Sequence, residues 1–490
     1  MNLNDLPDEV LCTIFDHLDL YELKLASSVC RRWSHLTFSG RRMDRVWLVI
    51  RHSNCDFLCN TKREYRNVRL TRFFMRTDHL ESALPLLLTL MLHVRMLDLQ
   101  CDVTTEQSRL ILLEAPELQH LSMQFDLRLV LTGNCKMNGP FPVLPKLKSL
   151  VLVGSQFYFF PSKLNTPNLQ CLNMSCSTDL ELEAWKYFSG QLKLVRVDVL
   201  NGDFLQPLLK LTFPLLEDLS VKSVFDSVQV LMSSSVADGF FRRHPFLRRL
   251  SIITSPFIPV AWVESISQHC PELTYLNLFL ESPNEGLLES LVHLKKFKHL
   301  SLEGEVYRKI LRGVMTSLET VRLRMSYPEV LLKNLFEVVP QLSCLQITYR
   351  ISCDELQFIC ERFSCLRRLE LVFGYQFLEE PVADDFVRFD KLLHLQELKL
   401  SGKIKIRSIH PNNVRSLTLY SPSSIFTYST DITNDDLYEI PEKFSLVKRL
   451  ILENCSVSLD AVERLHKLMP SCRIDYEDER FYPIDDVTAD

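Results

Sequence analysis

The feature that most constrains this chain is a short apolar pattern, Leu-x-x-Leu-x-Leu or a close variant, recurring about every 25 residues from near residue 94 to near residue 476. Its final pair falls at Leu97/Leu99, Leu121/Met123, Leu150/Leu152, Leu172/Met174, Val197/Val199, Leu219/Val221, Leu250/Ile252 and Leu276/Leu278. It continues at Leu300/Leu302, Val321/Leu323, Leu345/Ile347, Leu369/Leu371, Leu398/Leu400, Leu417/Leu419, Leu450/Leu452 and, weakly, Ile474/Tyr476. Val46/Leu48 and Val68/Leu70 read as two degenerate earlier turns. Alternation at period two is that of a strand with one buried face. Helical stretches lie between the pairs, among them residues 261–269, 354–362 and 459–468. One strand-plus-helix turn cannot bury its own leucines, whereas stacked turns share a continuous core. The expected fold is therefore α/β: a solenoid, bent into a horseshoe with a parallel sheet on its concave side.

The N-terminus departs from this rhythm. Leu6, Val10, Leu11, Ile14, Phe15 and Leu18 form the apolar stripe of a helix. Pro7, Asp8 and Glu9 suit its first turn, where a missing amide hydrogen costs nothing and negative charge meets the positive helix end. A second stripe follows at Leu20, Leu23 and Ala26, then a third helix through Val29 and Trp33. Roughly 40 residues in three short helices cannot bury that much apolar surface alone, so the segment asks for a partner.

The wording of this segment, Leu6-Pro7-x-Glu9 at its start and the run from Leu25 through Ser28, Val29, Cys30, Arg31 and Arg32 to Trp33 at its end, resembles the F-box. The resemblance implies a three-helix domain that docks on a Skp adaptor and so joins a cullin and RING ubiquitin ligase. Leu6, Pro7, Glu9, Val10, Leu11, Ile14, Phe15 and Trp33 are the expected adaptor-binding residues. Downstream, Cys270-Pro271-Glu272-Leu273-x-x-Leu276-x-Leu278 resembles the cysteine-containing leucine-rich repeat common in F-box proteins. The Asn or Cys expected three positions after the second leucine is present at Cys455 but missing from most turns. The domain plan is thus 1–45 F-box, 46–93 linker and degenerate first repeats, 94–478 leucine-rich repeats, and 479–490 an acidic tail.

Composition bears on what such a chain binds. A net charge of -5 and a pI near 6.3 give no reason to expect nucleic acid as a general partner. The longest apolar run, residues 83–92, is about half a membrane span. The opening Asn2, Asn4 and Asp5 leave no room for a secretory signal, so the cytoplasm or nucleus is expected. The 15 cysteines are an odd number without the spacing of a disulfide scaffold. His52, Cys55 and Cys59 approach a metal pattern but lack a fourth ligand. The glycosylation sequons at Asn173 and Asn454 are expected to be chance. Twelve glycines leave few places for phosphate loops, and no nucleophile elbow or metalloprotease helix is present. The acid pairs Asp384/Asp385, Asp435/Asp436 and Asp485/Asp486 are expected to be solvated charge. The chain reads as non-catalytic, without metal or cofactor.

Specificity is expected on the residues between and just after the paired leucines, which point out of the open sheet face. Arg322, Arg324, Gln346, Thr348, Glu370, Lys399 and Tyr420 lead this set, with Val372, Ser401, Thr418, Ile451 and Glu453 beside them. Long steps containing Ser233 to Ser235 and Ser421 to Thr433 suit binding loops. The stretch from Arg31 to Arg76 is basic and that from Asp475 to Asp490 acidic. The leading reading is a ubiquitin-ligase substrate receptor. Two others stand beside it: a repeat scaffold whose F-box serves no degradation, and a ligand-gated receptor, which would need Lys and Arg on several adjacent strands.

Overall fold

Pro7 precedes helix α1 (Asp8–His17), with Asp8 and Glu9 in its first turn. Asp19 caps α2 (Leu20–Val29): its carboxylate accepts from the amides of Tyr21 and Glu22, and Glu22 returns a carboxylate oxygen to the Asp19 amide at 2.6 Å. That reciprocal box satisfies amides that helix geometry leaves unpaired. In α3 (Arg31–Thr37) the Cys30 sulfur takes the capping role, accepting from the Trp33 amide. Leu11, Phe15, Leu23, Ala26 and Leu36 form the core these helices share, with Leu6, Cys12, Leu18 and Trp33 packed against it. Arg42 closes the bundle. Its guanidinium is buried, donating to the Leu36 and Cys12 carbonyls and pairing with Asp16 at 2.6 Å.

The structure is a computed structural model. It describes residues 3–490 except 52–62, 72–76, 101–104, 125–141, 154–163, 201, 224–233, 254–259, 282, 327–328, 374–387, 403–405, 407–408, 411, 421–431, 477–478 and 482–490. Two units are formed, Met1–Val224 and Phe225–Asp490.

In the first unit, strands β1 (Trp47–Ile50), β2 (Asn67–Leu70), β3 (Met96–Leu99), β4 (His120–Gln124), β5 (Ser149–Val153), β6 (Cys171–Cys176), β7 (Leu194–Val199) and β8 (Asp218–Ser223) follow the F-box helices. Each pairs in parallel with the next. The second unit repeats the plan with β9 (Arg249–Ile253), β10 (Tyr275–Glu281), β11 (His299–Glu305), β12 (Thr320–Ser326), β13 (Cys344–Ile351), β14 (Arg368–Phe373), β15 (Glu397–Gly402), β16 (Ser416–Tyr420), β17 (Arg449–Glu453) and β18 (Arg473–Tyr476). These also pair in parallel, each with its sequence neighbour. A last strand, β19 (Glu479–Phe481), returns antiparallel to β18.

The repeat register corrects the sequence in two places. Met174 pairs with Val197, and Val197 with Val221, so the leucine pair of β7 is Val195/Val197 rather than Val197/Val199. In β1, Leu48 and Ile50 face Val68 and Leu70, displacing the expected Val46/Leu48. Both stretches alternate apolar residues beyond two positions, and a slip of two keeps every side chain on its face, so only pairing fixes the register.

The buried side of each sheet meets the connecting helices. Val260–His269 buries Trp262, Val263 and Ile266 against it, and Leu459–Leu468 buries Ala461, Val462 and Leu465. Other connections include a 3-10 turn, as at Glu289–His293 and Phe389–Lys391. Cys455 fills the polar repeat position, its thiol donating to the Leu419 carbonyl one strand back at 3.4 Å. The chain turns there through Asn454, whose φ is 53°. Among the described residues no helix is long and apolar enough to cross a membrane.

Candidate functional site

Two surfaces stand apart from the core. On the F-box helices the apolar residues divide by face. Leu11 and Phe15 are 1% exposed, whereas Val10 is 43% and Ile14 38% exposed on the same helix. Leu11 and Phe15 therefore leave the expected adaptor-binding set, because they are consumed in the domain's own core. Trp33 is half-buried, its ring set edge-on to Phe15 at 5.2 Å, and Leu6 also packs on the core. Pro7 and Glu9 lie exposed at the start of α1. The structure adds residues the sequence reading missed: Leu3, Leu20, Leu25 and Val29 are exposed. Leu25 and Val29 lie one turn apart on α2, as Val10 and Ile14 do on α1. The usable signal was that α2 is apolar on more than one face, which a helix packed on one side does not need.

Arg32 ties this surface to the chain start. Its guanidinium pairs with Asp8 at 2.6 Å and donates to the carbonyls of Asn4 and Leu6. The entry to α1 is thereby held against α3.

The second surface is the open face of the sheet in the second unit. Arg322, Gln346, Glu370, Lys399, Thr418 and Ile451 occupy one register row across β12 to β17. Neighbours in such a row sit about 4.8 Å apart. Lys399 Nζ lies 3.9 Å from Glu370 Oε1 and 4.3 Å from the centre of the Tyr420 ring. Tyr420 Oη donates to the same Glu370 oxygen at 3.4 Å. Burial, and then the Glu370 charge, push the Tyr420 phenol up to about 12. The phenol is thus a proton donor at neutral pH, seated beside a cation and an anion. Arg324 faces Glu303 at 3.8 Å.

Two expected members do not join this face. β13 shifts register between Ile347 and Arg350, and Thr348 sits at that irregularity with its hydroxyl directed to the Leu323 carbonyl at 3.5 Å. Ser401 is fully buried between its neighbours. Other candidates resolve more simply. Asp436 accepts from the Thr433 amide and hydroxyl, which makes it part of a helix cap. Residues 421–431 of the Ser/Thr-rich step, the His52, Cys55 and Cys59 group, and the acid pairs at 384/385 and 485/486 lie outside the described residues. Among the described residues no three of His, Cys, Asp or Glu are grouped to hold a metal ion.

Comparison with known proteins adds one firm match. Residues 3–46 match the F-box-like family model. No match is found among curated proteins. Among solved structures, a leucine-rich-repeat protein of Leptospira interrogans is 16% identical, covering 88% of this chain and 99% of that one, with a TM-score of 0.32. A Bacteroides fragilis protein is 12% identical at a TM-score of 0.30, covering 56% of this chain and 66% of that one, just under two thirds of its length. Neither superposition is close enough to carry the architecture, which rests on the strand register itself. The N-terminal segment is an F-box-like domain, and the body behind it is a leucine-rich-repeat array.

Proposed function

We propose that this chain is the substrate-recognition subunit of a Skp–cullin–F-box ubiquitin ligase, working in the cytoplasm or nucleus. The observation that carries the reading is the pair of exposed apolar rows, Val10/Ile14 and Leu25/Val29, on a small domain that already has a closed core. F-box domains generally bind Skp-type adaptors, and exposed apolar rows are the kind of surface such a helical partner covers. The open repeat face then takes a protein substrate through Arg322, Gln346, Glu370, Lys399 and Tyr420. Ubiquitin transfer belongs to other subunits, so the chain acts by holding substrate near them. The ligand-gated alternative draws less support: Arg324 and Lys399 each have a glutamate within 4 Å, which weakens them as polyphosphate ligands.

Affinity for a purified Skp-type adaptor tests this. Val10→Ser/Ile14→Ser and Leu25→Ser/Val29→Ser, each in the full chain, remove exposed apolar contacts and leave the core intact. Anchor residues at an interface contribute roughly 2 kcal/mol or more, so each double variant loses tenfold or more in affinity. Wild-type affinity in both variants would overturn the proposal.

A further inference from the structure

Just before each strand, at the second position ahead of the first paired leucine, the chain carries a residue whose carbonyl accepts from the next repeat's backbone. In the second unit this ladder runs Arg367, Gln396, Arg415, Lys448, with amide-to-carbonyl distances of 2.8, 3.0 and 2.8 Å. Side chains at these positions reach their ladder neighbours. Lys298 and Glu319 occupy it on β11 and β12 and form an ion pair at 2.8 Å. Other cations near the strand starts of this unit are paired: Arg368 with Glu397, and Arg449 and Arg473 both with Asp475. Arg367, Arg415 and Lys448 are exposed, no acid occupies their column from β14 to β17, and none has an ion pair with a described residue.

We infer that this strand-start edge, through Arg367, Arg415 and Lys448, docks an extended acidic segment of a partner protein. The inference rests on reading the repeats as a protein-binding body and names the chemistry of what is bound. Three strand steps separate Arg367 from Lys448, about 14 Å at sheet spacing. An extended peptide of about five residues spans that distance. Carboxylates on such a segment meet the row across the strands while the paired cations beside it stay occupied. A net charge of -5 repels acidic chains elsewhere on the protein and makes the edge selective. Three cations in one short row fit a peptide better than nucleic acid, whose binding draws on many phosphate contacts.

Fluorescence polarisation with a labelled Glu/Gly-alternating peptide and the full chain tests this directly. Binding should weaken steeply with salt, since the contacts are exposed. Arg367→Glu/Arg415→Glu/Lys448→Glu should lower affinity by roughly tenfold or more, and Lys296→Glu, at a cation already paired with Glu272, should leave it nearly unchanged. Equal binding by wild type and the triple variant overturns the inference, as does tighter binding of a single-stranded oligonucleotide than of the peptide. Asp485→Asn/Asp486→Asn/Asp490→Asn serves as a further arm: a large gain in peptide affinity would mean that the chain's own acidic tail is the occupant, and a partner segment is not. Because the readout needs neither adaptor nor ligase, the substrate-receptor reading can fail while this edge still binds, and the reverse.

Discussion

Burial above all pushes the thiols of Cys176, Cys270 and Cys360 up to about 12 from an ordinary 9.0. Thiols held protonated this way are packing groups and poor nucleophiles. Their folded values lie above the unfolded one, so the stability they contribute is complete below pH 9.0 and drains away as pH rises toward 12. Tyr420 adds the same trend between 10.0 and about 12. His244 works in the opposite sense. Burial pushes it down to about 4 from 6.5, while its Nδ1 stays 2.7 Å from the Phe240 carbonyl. A buried neutral histidine contributes fully above pH 6.5 and loses that contribution as pH falls toward 4. The melting midpoint should therefore be flat between about 6.5 and 9 and fall on both sides. Cys270→Val should flatten the alkaline limb. A midpoint unchanged to pH 11 would contradict the role given to burial. Replacing Glu370 by Gln removes the carboxylate whose charge, after burial, raises Tyr420 most. Its phenol, followed by phenolate absorbance, should then titrate lower than in wild type yet still above 10.0, because burial remains.

Elements show where local pattern and packing part ways. Val10 and Leu11 are adjacent and equally apolar, so helical periodicity placed both in one stripe. Which of them faces inward depends on where α3 crosses α1. Leu11→Ala should destabilise the F-box domain by about 2–5 kcal/mol, since it empties a closed core. Val10→Ser should stay within about 0.5 kcal/mol of wild type. Urea unfolding of the full chain, read by hydrogen exchange at α1, separates the two. Among the strands, Gly304 adopts a φ of 108° where β11 passes β10, and a Cβ there would run into the Leu280 carbonyl oxygen. Gly304→Ala should cost on the order of 2 kcal/mol or more, from a strained backbone and a displaced ladder partner. Stability equal to wild type would show that β10 yields freely at that point. Sequence alone did not single out this glycine, because its demand comes from the neighbouring repeat.

At the scale of the molecule, the residues proposed for docking and for recognition fall in different units, the F-box rows in Met1–Val224 and the charged face in Phe225–Asp490. Arg322→Glu/Arg324→Glu reverses charge on β12 and leaves the buried leucines untouched. Adaptor affinity and thermal midpoint should hold, exposed changes costing within about 0.5 kcal/mol, while captured protein partners are lost. Loss of adaptor binding as well would show that the two surfaces are coupled. An unchanged partner set would move substrate recognition away from β12.

The sequence by itself determined the class of architecture, because a repeat near 25 residues has one economical way to bury its leucines, and it marked the F-box, because its motif is local. Cys270 and Cys455 were legible as repeat residues for the same reason. Only the tertiary structure decided the register of β1 and β7, the irregularity that removes Thr348 from the open face, and the burial of Leu11 and Phe15. It also brought Glu370, Lys399 and Tyr420 together and left Arg367, Arg415 and Lys448 without an ion pair among the described residues. Periodicity tells which side of an element is apolar. Whether that side meets a neighbour of its own chain or is left for a partner depends on contacts between residues tens of positions apart, which no local pattern encodes.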